Sequence, residues 1–330
     1  MSAPVLVADI GGTNARFALA HPMGSGIEIG PVMTFRTAEQ ESFDDALQRF
    51  LSASDRLPLS GAAACAAGPV EGKGDAARID LTNCPWEVSV AALRRATGIE
   101  KPILVNDFAA VALAVPALAP HELHAVGPAL SPVAHAPAGL LGAGTGLGMS
   151  AIVFGGGAEI PLAGEGGHAD LAANSAREAE VIAYLRARHG HVSVERVLSG
   201  PGLAALYEAL CALGGLTANK IAPPDIATRA HRREDSVAVE AVQLFCGFLG
   251  AVAGNLALML GARGGIYIGG GIVPGWLAHH PGLFDEALFR ARFEAKGRMS
   301  HWLARVPVFV IRRDDTALLG LARAAFAASR

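Results

Sequence analysis

The sequence has little charge, few cysteines and no run of basic residues. Charged residues make up 17% of the 330-residue chain and apolar residues 52%, so the chain can bury a large core and disorder is excluded. The net charge is −3 and no Lys- or Arg-rich segment occurs, which argues against nucleic acid as a partner. The four cysteines lie far apart without a CxxC pair, which excludes a Cys-rich zinc site and a dense disulfide framework and is typical of a reducing cytosol.

One long apolar run is present, at residues 241–262. It carries no charged residue and is long enough to cross a membrane, but it contains Gln243, Asn255 and four glycines, and no second such run accompanies it. We therefore interpret it as a buried helix rather than a membrane span. The first residues have no basic segment and no cleavage site, so a signal peptide is not expected and the cytoplasm is the expected location.

Strand and helix patterns alternate along the chain, which predicts an α/β fold, and the length predicts two domains. Residues 7–19 follow the order strand, glycine turn, strand, and residues 140–154 repeat it, which suggests two similar α/β halves. We predict a small domain from residues 1–117 plus 307–330 and a large domain from residues 118–306. In this prediction the last strand and the last helix fold back onto the first domain.

A cluster of small and polar residues follows the first predicted strand: Asp9, Gly11, Gly12, Thr13, Asn14 and Arg16. Glycines let backbone N–H groups approach an anion closely, and short polar side chains add donors. Asp9 could hold Mg²⁺ through water. The segment matches neither the Rossmann nor the Walker pattern, and the alternative is an ordinary hairpin turn without a ligand.

A second glycine-rich segment lies at residues 142–148, with Gly144, Thr145 and Gly146 at its centre. Its five Gly or Thr positions in seven residues are more than a turn requires, although a mobile loop is the alternative. Two such segments in one chain could bind the two ends of a triphosphate.

Asn106 and Asp107 follow a buried strand and precede a predicted helix. An aspartate in this place could accept a proton from a hydroxyl group. The alternative is a helix N-cap, and the two roles are compatible.

A polar loop contains Glu165, His168 and Asp170 among glycines, and its spaced side chains suit the hydroxyl groups of a sugar. The alternatives are an ordinary polar loop or a zinc site, for which the pattern is weak. The segment His189-Gly190-His191 favours a helix C-terminus over a metal site.

Taken together, these segments resemble the bacterial glucokinase family, the hexokinase-like group outside the ROK kinases. The resemblance extends over about residues 5–320 and rests on the segments ADIGGTNARFALA, LTNCPW, NDFAAVALAVPAL, GAGTGLG, GEGGHAD, GHVSVERVLSGPGL, GNLALMLGARGGIYIGGGIVP and FEAKGRM. The chain lacks the Cys-rich zinc motif of the ROK kinases, and no segment for a DNA-binding domain precedes the first glycine turn.

The resemblance implies two ribonuclease H-like (actin-like ATPase) domains with an interdomain cleft, and a homodimer. It implies ATP-dependent phosphorylation of D-glucose at the 6-hydroxyl to glucose 6-phosphate, the first step of glycolysis, with ATP and Mg²⁺ required. No nucleic acid and no membrane are expected as partners.

The resemblance also implies a role for each matching residue. Asp107 is the expected general base, and the expected hexose contacts are Asn83, Asn106, Asp107, Glu165, His168 and Glu195. The expected nucleotide contacts are Asp9, Gly11, Gly12, Thr13, Asn14, Arg16, Gly144, Thr145, Gly146, Gly269 and Gly270. Asp9 is also the expected metal contact, through water.

Three other functions compete with this one. A kinase for another hexose or for an N-acetyl sugar would use the same motifs. A sugar-sensing regulator without turnover is disfavoured because Asp107 and both glycine segments are present. A chaperone-type ATPase of the same superfamily is disfavoured because no segment for a substrate-binding domain accompanies the motifs.

Overall fold

The computed structural model describes residues 3–24, 26–54, 57–81, 84–217 and 220–329. The chain divides into two compact units. The first comprises Met1–Ala119, Ala158–Ala163 and Arg313–Arg330, and the second comprises Pro120–Gly157 and Gly164–Arg312. The first change of unit therefore falls two residues after the predicted boundary at 117, and the last falls after residue 312 rather than before 307.

The described part of residues 1–119, in the first unit, contains eight strands: β1 (Val5–Ile10), β2 (Asn14–Met23), β3 (Gly26–Ile29), β4 (Met33–Arg36), β5 (Gly61–Ala66), β6 (Arg78–Asp80), β7 (Glu87–Ser89) and β8 (Ile103–Asn106). Six of them form one sheet in the order β3-β2-β1-β5-β8, with β4 also paired to β2, while β6 and β7 pair with each other. Strand β1 is antiparallel to β2 and parallel to β5, which is parallel to β8.

The remaining strands are β9 (Leu123–Ala125), β10 (Ala138–Ala143), β11 (Leu147–Gly155), β12 (Ala158–Gly164), β13 (Ile266–Gly269) and β14 (Val308–Ile311). In the second unit the order is β11-β10-β13-β14-β9. Strand β10 is antiparallel to β11 and parallel to β13, as β1 is to β2 and β5. The predicted repeat of a hairpin with a glycine turn is therefore present. Strand β14 pairs with β13 in the second unit, so the predicted return of the last strand to the first domain is wrong, while the last helix does belong to the first unit.

The helices are α1 (Phe43–Ala53), α2 (Val90–Thr97), α3 (Asp107–Ala114), α4 (Ala176–His189), α5 (Gly200–Leu213), α6 (Pro223–Arg232), α7 (Ser236–Leu260), α8 (Ile272–His279), α9 (Glu286–Glu294), α10 (Ser300–Leu303) and α11 (Thr316–Ala328). Strands and helices alternate along most of the chain, as the sequence pattern predicts.

Alternation along β1 directs its side chains to two separate cores of the first unit. Leu6 and Ile10 pack into the core that includes α1 and α2. Val5 and Val7 pack into the core that includes α3 and α11. Because successive residues of a strand face opposite sides, Asp9 lies on the face of Val5 and Val7, at the strand's carboxyl end.

Helix α7 is the predicted buried helix. Among the residues that the structure describes, it alone is long and apolar enough to span a membrane, but 72% of its most apolar window is buried inside the protein. It packs against α5 and α9 in the large core of the second unit. A Cβ atom added at Gly250 would lie only 2.2 Å from the carbonyl oxygen of Phe289, so a glycine in this apolar run permits close contact with α9.

We predict that Gly250→Ala lowers the free energy of unfolding by about 1–3 kcal/mol, because the new methyl group overlaps a backbone carbonyl that cannot rotate away. Gly275→Ala in α8 is the matched control, since a Cβ atom there meets nothing within 4 Å. This control should raise the stability by up to about 1 kcal/mol through helix propensity. Urea unfolding followed by circular dichroism measures both, and equal shifts in the two variants would contradict the packing argument.

Candidate active site

The first glycine turn joins β1 to β2. The N–H of Gly11 donates to the carbonyl of Asn14 over 2.9 Å, and the side chains of Thr13 and Asn14 are exposed. Thr37, which is only 4% exposed, holds the turn from behind. Its hydroxyl donates to the carbonyl of Gly12 over 2.7 Å and its N–H to that of Thr13 over 3.0 Å. Hydrogen bonds thus hold one side of the turn, and its other side is open to an anion. The sequence did not predict a role for Thr37, because this residue belongs to no recognised motif.

Asp9, at the end of β1, is bound on both carboxylate oxygens. Arg16 donates to its Oδ2 from Nη2 over 2.5 Å and from Nε over 3.2 Å, and the thiol of Cys65 lies 3.5 Å from its Oδ1. Burial opposes the charge of Arg16, but the charge and hydrogen bond of Asp9 raise the pKa of the guanidinium. Burial, followed by the charges of Asp9 and Asp107, raises the pKa of Cys65 well above its usual value. The group therefore contains an ion pair and a protonated thiol.

Asn106 caps α3, and Asp107 is the first residue of that helix. The Oδ1 of Asn106 accepts from the N–H groups of Phe108 over 2.9 Å and Ala109 over 3.3 Å, while its Nδ2 donates to the carbonyl of Gly68 over 3.1 Å. The Oδ1 of Asp107 accepts from the N–H of Phe108 over 2.9 Å. The predicted N-cap is confirmed for Asn106, and the partly buried Asp107 carboxylate lies at the positive end of the helix.

The two aspartates lie at one edge of the first sheet. Strands β1, β5 and β8 are parallel neighbours, and Asp9 is in register with Cys65, which is in register with Val105. Adjacent strands are about 4.8 Å apart, so the chain at Asp9 and at the end of β8 is separated by roughly 10 Å. The structure thus brings the first glycine turn, Asp9 and Asp107 together.

The second glycine turn joins β10 to β11. The N–H of Gly144 donates to the carbonyl of Gly146 over 2.8 Å. Strand β13 ends beside this hairpin, since Gly269 is in register with Gly142, and Gly270 follows directly. The predicted nucleotide contacts of the second unit therefore lie on adjacent strand ends.

The predicted hexose contacts of the second unit lie close to this turn. Glu165 directly precedes a short 3-10 helix, Gly166–His168, of which His168 is the last residue. The two side chains are about two-thirds exposed, with His168 Nε2 3.9 Å from Glu165 Oε2. Glu195 Oε2 accepts from the N–H of Leu147 over 2.7 Å. Thr145, His168 and Glu195 all line one cavity of about 1200 Å³. The structure thus brings three predicted site residues of the second unit together around open space.

Two predictions concern residues elsewhere. Asn83 lies outside the described residues. Helix α4 ends at His189, as predicted, and Gly190 follows it with a positive φ of 72°. His191 Nε2 lies 2.8 Å from Asp170 Oδ1. Within the described ranges, no group of three or more His, Cys, Asp or Glu side chains is arranged to hold a metal ion.

Comparison with known proteins gives a consistent result. The family model described as Glucokinase matches residues 6–328. The glucokinase of Chromobacterium violaceum is 46% identical over 319 residues, which cover 97% of this chain and 88% of that protein. The glucokinase of Aromatoleum aromaticum is 45% identical over 325 residues, covering 97% of this chain and 94% of that protein.

A solved structure supports the same assignment. The crystal structure of a glucokinase from an Antarctic psychrotroph matches with a TM-score of 0.89 and 35% identity, covering 99% of this chain and 100% of that one. This likeness confirms the predicted α/β class with the actin-like ATPase fold of sugar kinases. The family match and these relatives extend over nearly the whole sequence, and the chain belongs to the glucokinase family.

Proposed function

We propose that the chain transfers the γ-phosphoryl group of ATP to the 6-hydroxyl of D-glucose, with Asp107 as the catalytic base. Family membership supports the reaction as a whole. The observation that carries the assignment of residues is the position of Asp107 at the start of α3, on the same sheet edge as Asp9 and the first glycine turn.

Asp107 supplies the chemistry that the acceptor hydroxyl needs. Phosphoryl transfer proceeds through a loose transition state, so orienting the nucleophile matters more than deprotonating it early. A carboxylate accepts a hydrogen bond from the hydroxyl group, directs its oxygen toward the phosphorus, and takes the proton once the new bond has made the hydroxyl acidic. The N–H of Phe108, which donates to Asp107, helps to fix the direction of the carboxylate.

The two glycine turns are proposed to bind the phosphates of ATP. Their backbone N–H groups and the exposed hydroxyls of Thr13 and Thr145 provide donors for phosphate oxygens. Arg16 adds a positive charge beside the first turn. Gly269 and Gly270 are proposed to border the adenosine, as the family resemblance implies. A Cβ atom added at Gly270 would lie 2.4 Å from the carbonyl oxygen of Ala143, so glycine permits this close approach to the end of β10.

The residues next to the first glycine turn fit a Mg²⁺ ion that binds together with the nucleotide. Asp9 is a hard oxygen donor, but both of its oxygens already have protein partners, so contact through a water molecule suits it better than direct ligation. Mg²⁺ usually keeps several waters and binds substrate phosphates with few protein carboxylates. When bound, the ion supplies charge neutralisation for the phosphates.

The hexose is proposed to bind Asn106, Glu165, His168 and Glu195 in addition to Asp107. Asn106 uses one amide hydrogen for the carbonyl of Gly68, which leaves its second for a sugar hydroxyl. Donors and acceptors that a bound sugar covers discriminate between sugars, because the wrong epimer leaves them unpaired. Asn83 is proposed as a further contact on the strength of its motif.

We further propose that the protein acts in the cytoplasm as a homodimer. The four cysteines are all unpaired and three of them are buried, which supports a reducing compartment. The dimer is proposed from family resemblance, and sedimentation velocity would test it, with a monomer at micromolar concentration as the contradicting result.

We predict that Asp107→Asn lowers kcat by about 10²–10⁴-fold, because asparagine keeps the oxygen acceptor for Phe108 but cannot take the proton. The KM for glucose should change less, and binding of ATP should persist. Coupled assays and calorimetry measure these quantities. Asp225→Asn is the control, since Asp225 also lies in the first turn of a helix, α6, and is exposed. Near-normal turnover of Asp107→Asn would contradict the role.

We predict that kcat/KM is highest for D-glucose in a panel with mannose, fructose, glucosamine and N-acetylglucosamine. Each of the other sugars differs from glucose in at least one polar substituent or in ring form, which leaves at least one polar group of the site unpaired. Their kcat/KM should therefore be at least about tenfold lower. ADP release with MgATP measures the panel. A preference for an N-acetyl sugar would contradict glucose as the substrate while leaving phosphoryl transfer intact.

We predict that EDTA abolishes activity and that added Mg²⁺ restores it. Asp9→Asn should raise the half-saturating Mg²⁺ concentration by about tenfold, because the side chain that accepts from the Mg²⁺-bound water loses its negative charge. Asp75→Asn is the control, since Asp75 forms the exposed ion pair with Arg94 in the same unit. An unchanged Mg²⁺ requirement in Asp9→Asn would rule out the water-mediated contact.

A further inference from the structure

The second glycine turn is held by a chain segment from elsewhere in the second unit, residues 195–200, which we call the clasp. At one end of the clasp, Glu195 Oε2 accepts from the N–H of Leu147 over 2.7 Å. At its other end, the N–H of Gly200 donates to the carbonyl of Gly144 over 2.8 Å. The clasp thus fixes both sides of the turn.

The clasp is itself held in place. The hydroxyl of Ser199, which is 2% exposed, donates to the carbonyl of Glu195 over 2.8 Å and accepts from the N–H of Gly202 over 3.0 Å at the start of α5. The backbone N–H of Glu195 donates to the carbonyl of Gly167 over 2.8 Å. Glu195 therefore connects the 3-10 helix that carries His168 with the glycine turn.

Gly146 leaves the space that the Glu195 carboxylate occupies. A Cβ atom added at Gly146 would lie 2.5 Å from Glu195 Oε2 and 3.3 Å from its Cδ. A Cβ atom added at Gly144, in the same turn, would meet nothing within 4 Å. Of these two glycines, only Gly146 owes its lack of a side chain to the carboxylate.

We propose that Glu195 is a positioning residue for the second glycine turn as well as a hexose contact, so that binding of sugar and the shape of the nucleotide turn are coupled through one carboxylate. The inference rests on the proposed function. The Glu195 carboxylate that accepts a hydrogen bond from a hexose hydroxyl is the same one that accepts from the N–H of Leu147. If sugar binding shifts this carboxylate, the hydrogen bond to Leu147 shifts with it and the turn moves. Coupling between two binding events is reciprocal, so binding of a nucleotide at the turn must change the affinity for sugar by the same factor.

The first experiment measures glucose binding by calorimetry in the absence of nucleotide. Gly146→Ala displaces the carboxylate and should weaken glucose binding by about tenfold, although residue 146 belongs to the nucleotide turn. Gly144→Ala is the matched variant and should change glucose affinity by less than about twofold. Equal effects in both variants, or none in Gly146→Ala, would overturn the coupling. Absence of glucose binding to the unmodified protein would instead overturn the proposed function.

The second experiment measures binding of a non-hydrolysable ATP analogue with Mg²⁺ and without sugar. Glu195→Ala removes the acceptor for Leu147 and should weaken nucleotide binding by about two- to tenfold, the range that one net hydrogen bond contributes. Glu195→Gln keeps an oxygen acceptor, so it should regain most of the nucleotide affinity while glucose binding stays weak. A residue that only contacts sugar would leave nucleotide affinity unchanged in both variants, and that result would overturn the inference.

Discussion

The site depends on one constraint: a tight glycine turn that offers N–H groups to a ligand must have its other backbone groups satisfied by the protein. In the first turn Thr37 meets this need with its hydroxyl and its own N–H. In the second turn Glu195 and Gly200 do so from opposite sides. These hydrogen bonds leave the outer face of each turn open. The turns can therefore be rigid before a phosphate binds, so binding need not lose free energy to the ordering of a loop.

The need to satisfy buried polar groups also determines the surroundings of Asp9 at the edge of the first sheet. A carboxylate that is largely removed from water needs partners, and Asp9 finds them on the strands that flank β1. Arg16 is the register partner of Asp9 on β2, and Cys65 is its register partner on β5. Because the thiol stays protonated, it can donate to Asp9 and adds no negative charge between Asp9 and Asp107.

Local patterns were sufficient for much of this arrangement, and long-range contacts account for what they missed. The two hairpins, the cap of α3 and the burial of α7 follow from turn residues, capping residues and apolar content within a few positions. Thr37 is separated from the turn it braces by 25 positions, and Glu195 from Leu147 by 48, so no local pattern reports either contact. Strand β14 shows the same limit, since a short buried strand does not indicate which sheet it joins, and the sequence analysis assigned it to the first domain.

The position of Asp107 agrees with what phosphoryl transfer demands of it. A carboxylate in the first turn of a helix is stabilised as the anion by the helix dipole, which makes it a good acceptor of a hydrogen bond but does not strengthen it as a base. A loose transition state needs the first property more than the second, because the bond to the leaving group breaks ahead of formation of the bond to the hydroxyl, which therefore loses its proton late. Asn106 carries the two cap hydrogen bonds of α3, so the helix that orients Asp107 does not depend on Asp107 for its start. The sequence Asn-Asp thus places the main helix cap and the proposed base in two adjacent residues.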